Sequence, residues 1–484
     1  MEIGRIIRLV AAPLVLAAVA IGAWGSAENY DFEDVSGTRV DFDARVESAI
    51  LSARRIPQTL RAPISDDLLA EPLSETIAAY EGRSCLTVLA GDRRLEPSVD
   101  PEGGLIPASN QKLLTTFAAL ELLGPDFVFT TSVRAGTQAV EGVIEGDLYL
   151  VGDGDPFLTT DNWMDQFDDT DGRTRTRLED LADAVVSAGV GEITGAVVGD
   201  ESLYDDERYG PWATRLIDQK QSGPLSALTV NEGFVDWPDR FAASARSRTV
   251  SDNPPLDAAA VFASLLEERG VIIESGVDAG TAPAGLVVVA SIKSPPLVDV
   301  ITHINSYSSN IGAELLLKRL GLVAGPSGST AAGAEVVRQT LTELGLPMAD
   351  VVIQDGSGLA ESDRVTCNLL AGLLLLAQDE AGFAESLAVS GVRGSLEEKF
   401  DDPGLVGEVL AKTGTLQGVR ALSGYAGTDD DELPVTFAHV INDPGLAVGD
   451  PQLPTQEALL DALVDYPEGP AVEVLSPLPA VPTE

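Results

Sequence analysis

Histidine is almost missing from this chain: His303 and His439 are the only two among 484 residues, and neither sits in a motif. A Ser-His-Asp triad or a histidine-ligated metal site is therefore poorly supported. Lysine is scarce too, at six positions. Positive charge as a whole is thin, with 31 Lys and Arg against 76 Asp and Glu, a net charge of −45 and a pI near 4.1. That balance argues against nucleic acid or an anionic membrane surface as the main partner. The acidic residues are spread along the chain and read as solubility or tolerance of salt. Cysteine occurs twice, at Cys85 and Cys367. Long apolar runs are confined to Leu9–Trp24, behind Arg5 and Arg8 and ahead of the small residues Gly25, Ser26 and Ala27.

That N-terminal layout reads as an export signal, a signal peptide or N-terminal anchor, over residues 1–27. The run is short against the roughly 20 residues of a comfortable membrane span. This favours cleavage over a retained anchor at the outer face of the cytoplasmic membrane. The chain is expected outside the cytoplasm, in the cell envelope or beyond it. In an exported protein two cysteines fit one Cys85–Cys367 disulfide, and they equally fit two buried thiols.

What is present is a globular composition, 44% hydrophobic and 22% charged, long enough for two or three domains. Residues 28–48 read as a flexible linker, with a short helix over 43–53. Helices are expected over 66–80, from 109 to 123, and over 176–188, 254–269, 330–344, 366–378 and 455–464. The stretch 294–321 reads as two helices with a polar break at Asn305–Ser309. Strands are expected over 85–90, 128–135, 140–151, 193–199, 225–230, 271–274, 285–292, 408–412, 419–425 and 434–441. The tail 468–484 is proline-rich and reads as disordered.

Three short patterns carry chemistry. In Ser109-Asn110-Gln111-Lys112 a serine opens an amphipathic helix whose apolar positions are Leu113, Leu114, Phe117, Leu120 and Leu123. Its unpaired N–H groups and dipole there favour a developing anion. Lys112 falls on the same face three residues on, and no other lysine has a serine at that spacing. Ser308-Ser309-Asn310 places a hydroxyl and an amide where two helices meet. Ser251-Asp252-Asn253 repeats that pattern but runs into Pro254-Pro255, which is turn and capping chemistry. Lys412-Thr413-Gly414-Thr415 lies on a late strand. Alternation puts Lys412 and Gly414 on one face and Thr413 on the other, so a cleft-lining edge strand is needed for both to reach one ligand.

In that order the three patterns resemble the set shared by penicillin-binding proteins and serine β-lactamases. The match is nearest to the D-alanyl-D-alanine carboxypeptidase/endopeptidase family, the low-molecular-mass class C penicillin-binding proteins of peptidase family S13. It runs from about Ala49 to Tyr466 through IPASNQKLLTTFAAL, GDLYLVGDGDPFL, LSALTVNEG, NSYSSNIGAELLLKRLG, QDGSGLAESDRVT, SGVRGSLEEKF and AKTGTLQGVRALSGYAG. Ala360 departs from the serine common in the DGSGL loop.

The resemblance implies an α/β (α+β) fold, an antiparallel sheet flanked by helices, with a mostly β inserted domain. A DD-peptidase domain would comprise 49–133 and 293–467, with 134–292 inserted. Ser109 would be the nucleophile and Lys112 its base, with a pKa lowered by burial and by the second ammonium at Lys412. Ser308 would relay a proton and Asn310 would hold Lys112 and the substrate amide. Backbone N–H groups of Ser109 and Thr415 would form the oxyanion hole. Lys412, Thr413 and Thr415 would bind the terminal carboxylate, and Gly414 would allow close approach. Peptidoglycan stem peptides are the implied substrate and β-lactams the covalent inhibitors, with no metal or organic cofactor. A β-lactamase, a general esterase and a catalytically silent wall-binding scaffold remain open on the same fold.

Overall fold

The computed structural model describes residues 57–466 apart from 79–81, 168–172, 238–246, 428–433 and 448–453. The export segment 1–27, the linker 28–48, the helix expected over 43–53 and the tail 468–484 lie outside the described residues.

Helix α1 (Pro57–Ala78) precedes the hairpin β1 (Arg83–Ala90) and β2 (Arg93–Val99). A 3-10 turn, Ala108–Asn110, runs into α2 (Gln111–Leu123), which ends at Gly124. The chain then builds a second sheet from β3 (Thr130–Ala135), β4 (Leu148–Val151), β5 (Val197–Asp200), β6 (Val277–Ala279) and β7 (Val287–Lys293). Helices α3 (Leu178–Ser187) and α4 (Pro254–Glu268) lie between these strands in sequence. Four helices follow: α5 (Leu297–Tyr307), α6 (Asn310–Ala324), α7 (Thr330–Glu343) and α8 (Cys367–Ala377). The first sheet is completed by β8 (Ala388–Val389), β9 (Val409–Leu416), β10 (Val419–Ala426) and β11 (Val435–Asn442), and α9 (Pro454–Val464) comes last.

The first sheet has the order β8-β9-β10-β11-β1-β2 and is antiparallel throughout. Cys85, Ala421, Tyr425 and Val440 face α2 and α8, while Leu86, Val88, Leu422 and Phe437 meet Leu69, Leu73, Leu459 and Leu463 of α1 and α9. Coverage on both faces is why β10 is buried at all eight positions. Cys85 of β1 is joined in a disulfide to Cys367 of α8 across 282 residues of sequence. That bond ties the sheet to the helix that covers it.

The apolar spacing of α2 predicts one buried stripe, yet every residue from Gln111 to Leu120 is buried. The helix packs among α5–α8 and shares one core with Cys85, Ala421, Tyr425 and Val440 of the sheet, so it is buried on all sides. Its polar groups find partners inside: Thr115 Oγ1 donates to Gly356 O at 2.9 Å and Asn110 Nδ2 to Lys412 O at 2.9 Å.

The second sheet, order β6-β5-β4-β3-β7, is mixed. Strand β3 is antiparallel to β4 and β7, and β4, β5 and β6 are parallel. Leu181, Val185, Phe262 and Leu266 of α3 and α4 pack on it, so helices complete its core. The cuts read at 134 and 292 fall inside β3 and β7, which pair from Thr130–Lys293 to Ala135–Val287 and form the neck of this segment. The strand expected over 225–230 is absent. Those residues are buried but irregular, because Ser226 Oγ accepts from Leu228 N and Ala227 O accepts from Gly154 N instead of joining a ladder. Among the described residues no helix is long and apolar enough to cross a membrane.

Candidate active site

Ser109 sits in the 3-10 turn ahead of α2 rather than in the first α-turn. Ala108 before it has φ 46°, a left-handed conformation that costs a residue bearing a Cβ. Two glycines hold the turn there. A Cβ on Gly358 would stand 1.8 Å from Ala108 O, and one on Gly414 would stand 2.8 Å from Pro107 O and 3.2 Å from Ser109 N. The outcome is a half-buried hydroxyl on an otherwise buried turn.

Lys112 is 0% exposed. Its Nζ lies 2.9 Å from Ser109 Oγ, 2.7 Å from Asn310 Oδ1 and 2.7 Å from Ser357 O. Burial pulls its pKa from 10.5 down to about 7, against the opposing charges of Asp355 and Glu314. Asn310 Oδ1 and Ser357 O only accept, so a neutral amine must give its two hydrogens to them. The lone pair is then left for Ser109, the one neighbour with a proton to give.

The break between α5 and α6 divides its labour among three residues. Ser309 caps α6, its Oγ accepting from Gly312 N at 3.1 Å. Ser308 and Asn310 are thereby free for other contacts. Ser308 is left-handed (φ 61°, ψ 37°), and its Oγ accepts from Lys412 Nζ at 2.9 Å. Asn310 Nδ2 donates to Gln221 O at 2.6 Å, which fixes the amide with its oxygen toward Lys112. Lys412 is also 0% exposed. Burial first, and then the charges of Lys112 and Lys399, hold its pKa well below the ordinary value.

Strand β9 meets the need for an edge. Its neighbour β8 pairs only with Leu410 and Ala411, so the edge is open from Lys412 onward. Val409 O accepts from Ser390 N on that side and Glu408 O from Gly427 N on the other. By alternation the N–H groups of Thr413 and Thr415 face the open edge. Thr413 Oγ1 is 2.9 Å from Ser395 Oγ, and Thr415 is exposed. The sequence-singled residues Ser109, Lys112, Ser308, Asn310, Lys412 and Gly414 thus come together. Thr413 and Thr415 border them through the strand edge. Ser251 and Asn253 bond locally at the start of α4.

Several groups around these residues are not singled out in the sequence. Ser357 and Gln221 act through backbone carbonyls. Glu314, 0% exposed and one turn along α6 from Asn310, accepts from Gly356 N at 3.1 Å and Ser357 N at 2.8 Å. It thereby steers the Ser357 carbonyl toward Lys112. The i, i+4 spacing of Asn310 and Glu314 was the clue available. Asp355 accepts from Gly358 N, Ala360 N and Trp212 Nε1. Burial and the Asp355 charge raise Glu314 to about 8 and Asp363 well above the carboxylate range. His303 stacks on Phe157 at 4.0 Å, and burial holds it near 3; His439 lies in β11 and is held near 4.

Comparison with known proteins places this geometry. The D-Ala-D-Ala carboxypeptidase 3 (S13) family matches residues 99–238 and 237–465. The D-alanyl-D-alanine carboxypeptidase of Actinomadura sp. strain R39 is 30% identical over 488 residues, covering 84% of this chain and 85% of its own. A carboxypeptidase of Mycobacterium tuberculosis is 29% identical over 356 residues, 70% of this chain and 72% of the relative. The crystal structure of penicillin binding protein 4 from Haemophilus influenzae has a TM-score of 0.67 at 20% identity, over 82% of this chain and 98% of that one. The fold is thus that of the penicillin-binding DD-peptidases. The chain belongs to the D-Ala-D-Ala carboxypeptidase 3 (S13) family and is a hydrolase of the carboxypeptidase class.

Proposed function

We propose that the chain is a serine D-alanyl-D-alanine carboxypeptidase/endopeptidase that acts on peptidoglycan stem peptides through an acyl-enzyme and is acylated by β-lactams. The observation that carries this reading is the Lys112 amine, whose contacts leave Ser109 as the only proton donor within reach. Ser109 Oγ attacks the carbonyl carbon between two D-alanines as Lys112 takes its proton. The N–H groups of Ser109 and Thr415 receive the oxyanion, worth about 3–4 kcal/mol in such sites. The C–N bond breaks, and the departing amine takes a proton through Ser308, which Lys412 holds at 2.9 Å. Asn310 keeps Lys112 in place and meets the substrate amide. Lys412, Thr413 and Thr415 receive the terminal carboxylate, and Gly414 lets the substrate lie close to β9. Water then hydrolyses the ester. Every step falls to a group of this chain, and none calls on a metal or organic cofactor.

The same reading assigns 49–133 with 293–467 to the DD-peptidase domain and 134–292 to an inserted domain. It places the protein in the cell envelope or outside the cell after export through residues 1–27, and gives it no membrane contact besides a retained N-terminal segment. Product analysis with purified muropeptides tests it. Release of D-alanine from pentapeptide monomers marks the carboxypeptidase, and cleavage of cross-linked dimers the endopeptidase. A protein that does neither, and forms no penicillin adduct, is a wall-binding scaffold.

A further inference from the structure

Acids outnumber bases more than twofold in this chain (76 to 31), so a cation with no acidic partner stands out. Lys399 is such a cation. It is half-buried, and its side chain has no hydrogen bond or ion pair among the described residues. Burial lowers its pKa first, and the charge of Arg420 lowers it further. It acts in turn on Lys412. A half-buried ammonium without a hydrogen bond or ion pair is costly unless an anion joins it.

The position of Lys399 says which anion. Its backbone N–H closes a turn onto Leu396 O at 3.0 Å, so it springs from the same turn as Ser395. That turn is pressed against the end of α5: a Cβ on Gly394 would stand 2.4 Å from Ser306 O. Ser395 Oγ in turn lies 2.9 Å from Thr413 Oγ1 on the open edge of β9. Arg420 sits directly across from Thr415 in the β9–β10 register. Two hydroxyls bonded to each other use one hydrogen between them and leave the other for an outside acceptor. A free O–H at the open strand edge, on the turn that also carries the unpaired ammonium of Lys399, suits a carboxylate.

We propose that Ser395 and Lys399 are further substrate-binding residues, which receive the carboxylate of the residue released by the reaction. The inference rests on the acyl-transfer reading above and deepens it. It makes the site selective for a free C-terminal acid.

The test compares two peptides that differ only at the C-terminus, D-Ala-D-Ala as the free acid and as the carboxamide. In Lys399→Gln, kcat/KM for the acid falls about tenfold, mainly through KM, while the carboxamide is unchanged; Lys399→Arg restores the acid. Ser395→Ala shifts the same ratio in the same direction by a smaller factor. Equal losses on both peptides, or none on either, overturn the proposal. Calorimetric binding of the two peptides to Ser109→Ala, with and without Lys399→Gln, reads the same discrimination without turnover and covers a variant that acylates poorly. A native chain that hydrolyses neither peptide and takes no penicillin contradicts the underlying reading as well. An active chain in which Lys399→Gln leaves the acid-to-amide ratio untouched contradicts this inference alone.

Discussion

Lys112 is both a core residue and a base, and the two roles have one cause. Taking an ammonium out of water disfavours its charged form, so the burial that costs stability also yields a free amine near neutral pH. Its folded pKa of about 7 sets the sign of the pH dependence. Above that pH the amine is free to take the Ser109 proton. Below it the ammonium cannot, and acylation falls about tenfold per pH unit. The second-order rate of acylation by a fluorescent penicillin, measured from pH 5 to 9, should level off above about pH 7 and drop below it. A rate that is flat down to pH 5 contradicts Lys112 as the base. Gly414 makes a second residue-level case. A Cβ there would meet Pro107 O at 2.8 Å and Ser109 N at 3.2 Å, with backbone on both sides that cannot swing away. Gly414→Ala should push β9 off the nucleophile turn and slow acylation by about 10²-fold. An acylation rate within a factor of two of the parent would show that the gap tolerates a methyl group.

At the scale of elements, the α6 start and the 355–358 loop act as one piece. Glu314 holds the N–H groups of Gly356 and Ser357, and the Ser357 carbonyl holds Lys112. Glu314→Ala should therefore loosen Lys112 and slow acylation by roughly 10–10²-fold. Glu314→Gln keeps an accepting oxygen and should retain most of the rate. Equal rates for the two variants in the penicillin assay would show that the loop stands without Glu314.

This arrangement also shows where sequence legibility stops. Ser109 with Lys112, and Ser308 with Asn310, are legible because local spacing on a helix fixes which side chains meet. The break at Asn305–Ser309 is legible for the same reason. The carbonyls of Ser357 and Gln221 are not, since any residue type supplies a carbonyl and its aim is set by distant packing. The stripe read on α2 understates its burial because the second layer of helices comes from residues 297–377, far along the chain. Residues 225–230 have strand composition but surrender their hydrogen bonds to side chains and a distant loop, which no periodicity records.

At the scale of the whole molecule, the catalytic side chains come from segments far apart in sequence, and what keeps those segments together governs activity. The Cys85–Cys367 bond fastens the first strand of the main sheet to α8, which packs against both the sheet and α2. Cys85→Ser with Cys367→Ser should cost about 2–5 kcal/mol of stability, read as a lower denaturation midpoint in urea. An unchanged midpoint would show that packing alone holds α8. The central claim is that the hydroxyl at the mouth of α2 is the nucleophile. Mass spectrometry of the proteolysed, penicillin-treated protein tests it most directly. The account predicts a single penicilloyl adduct on the peptide carrying Ser109, and neither adduct nor D-alanine release in Ser109→Ala. An adduct on Ser308 or any other residue, or labelling that survives in Ser109→Ala, contradicts it.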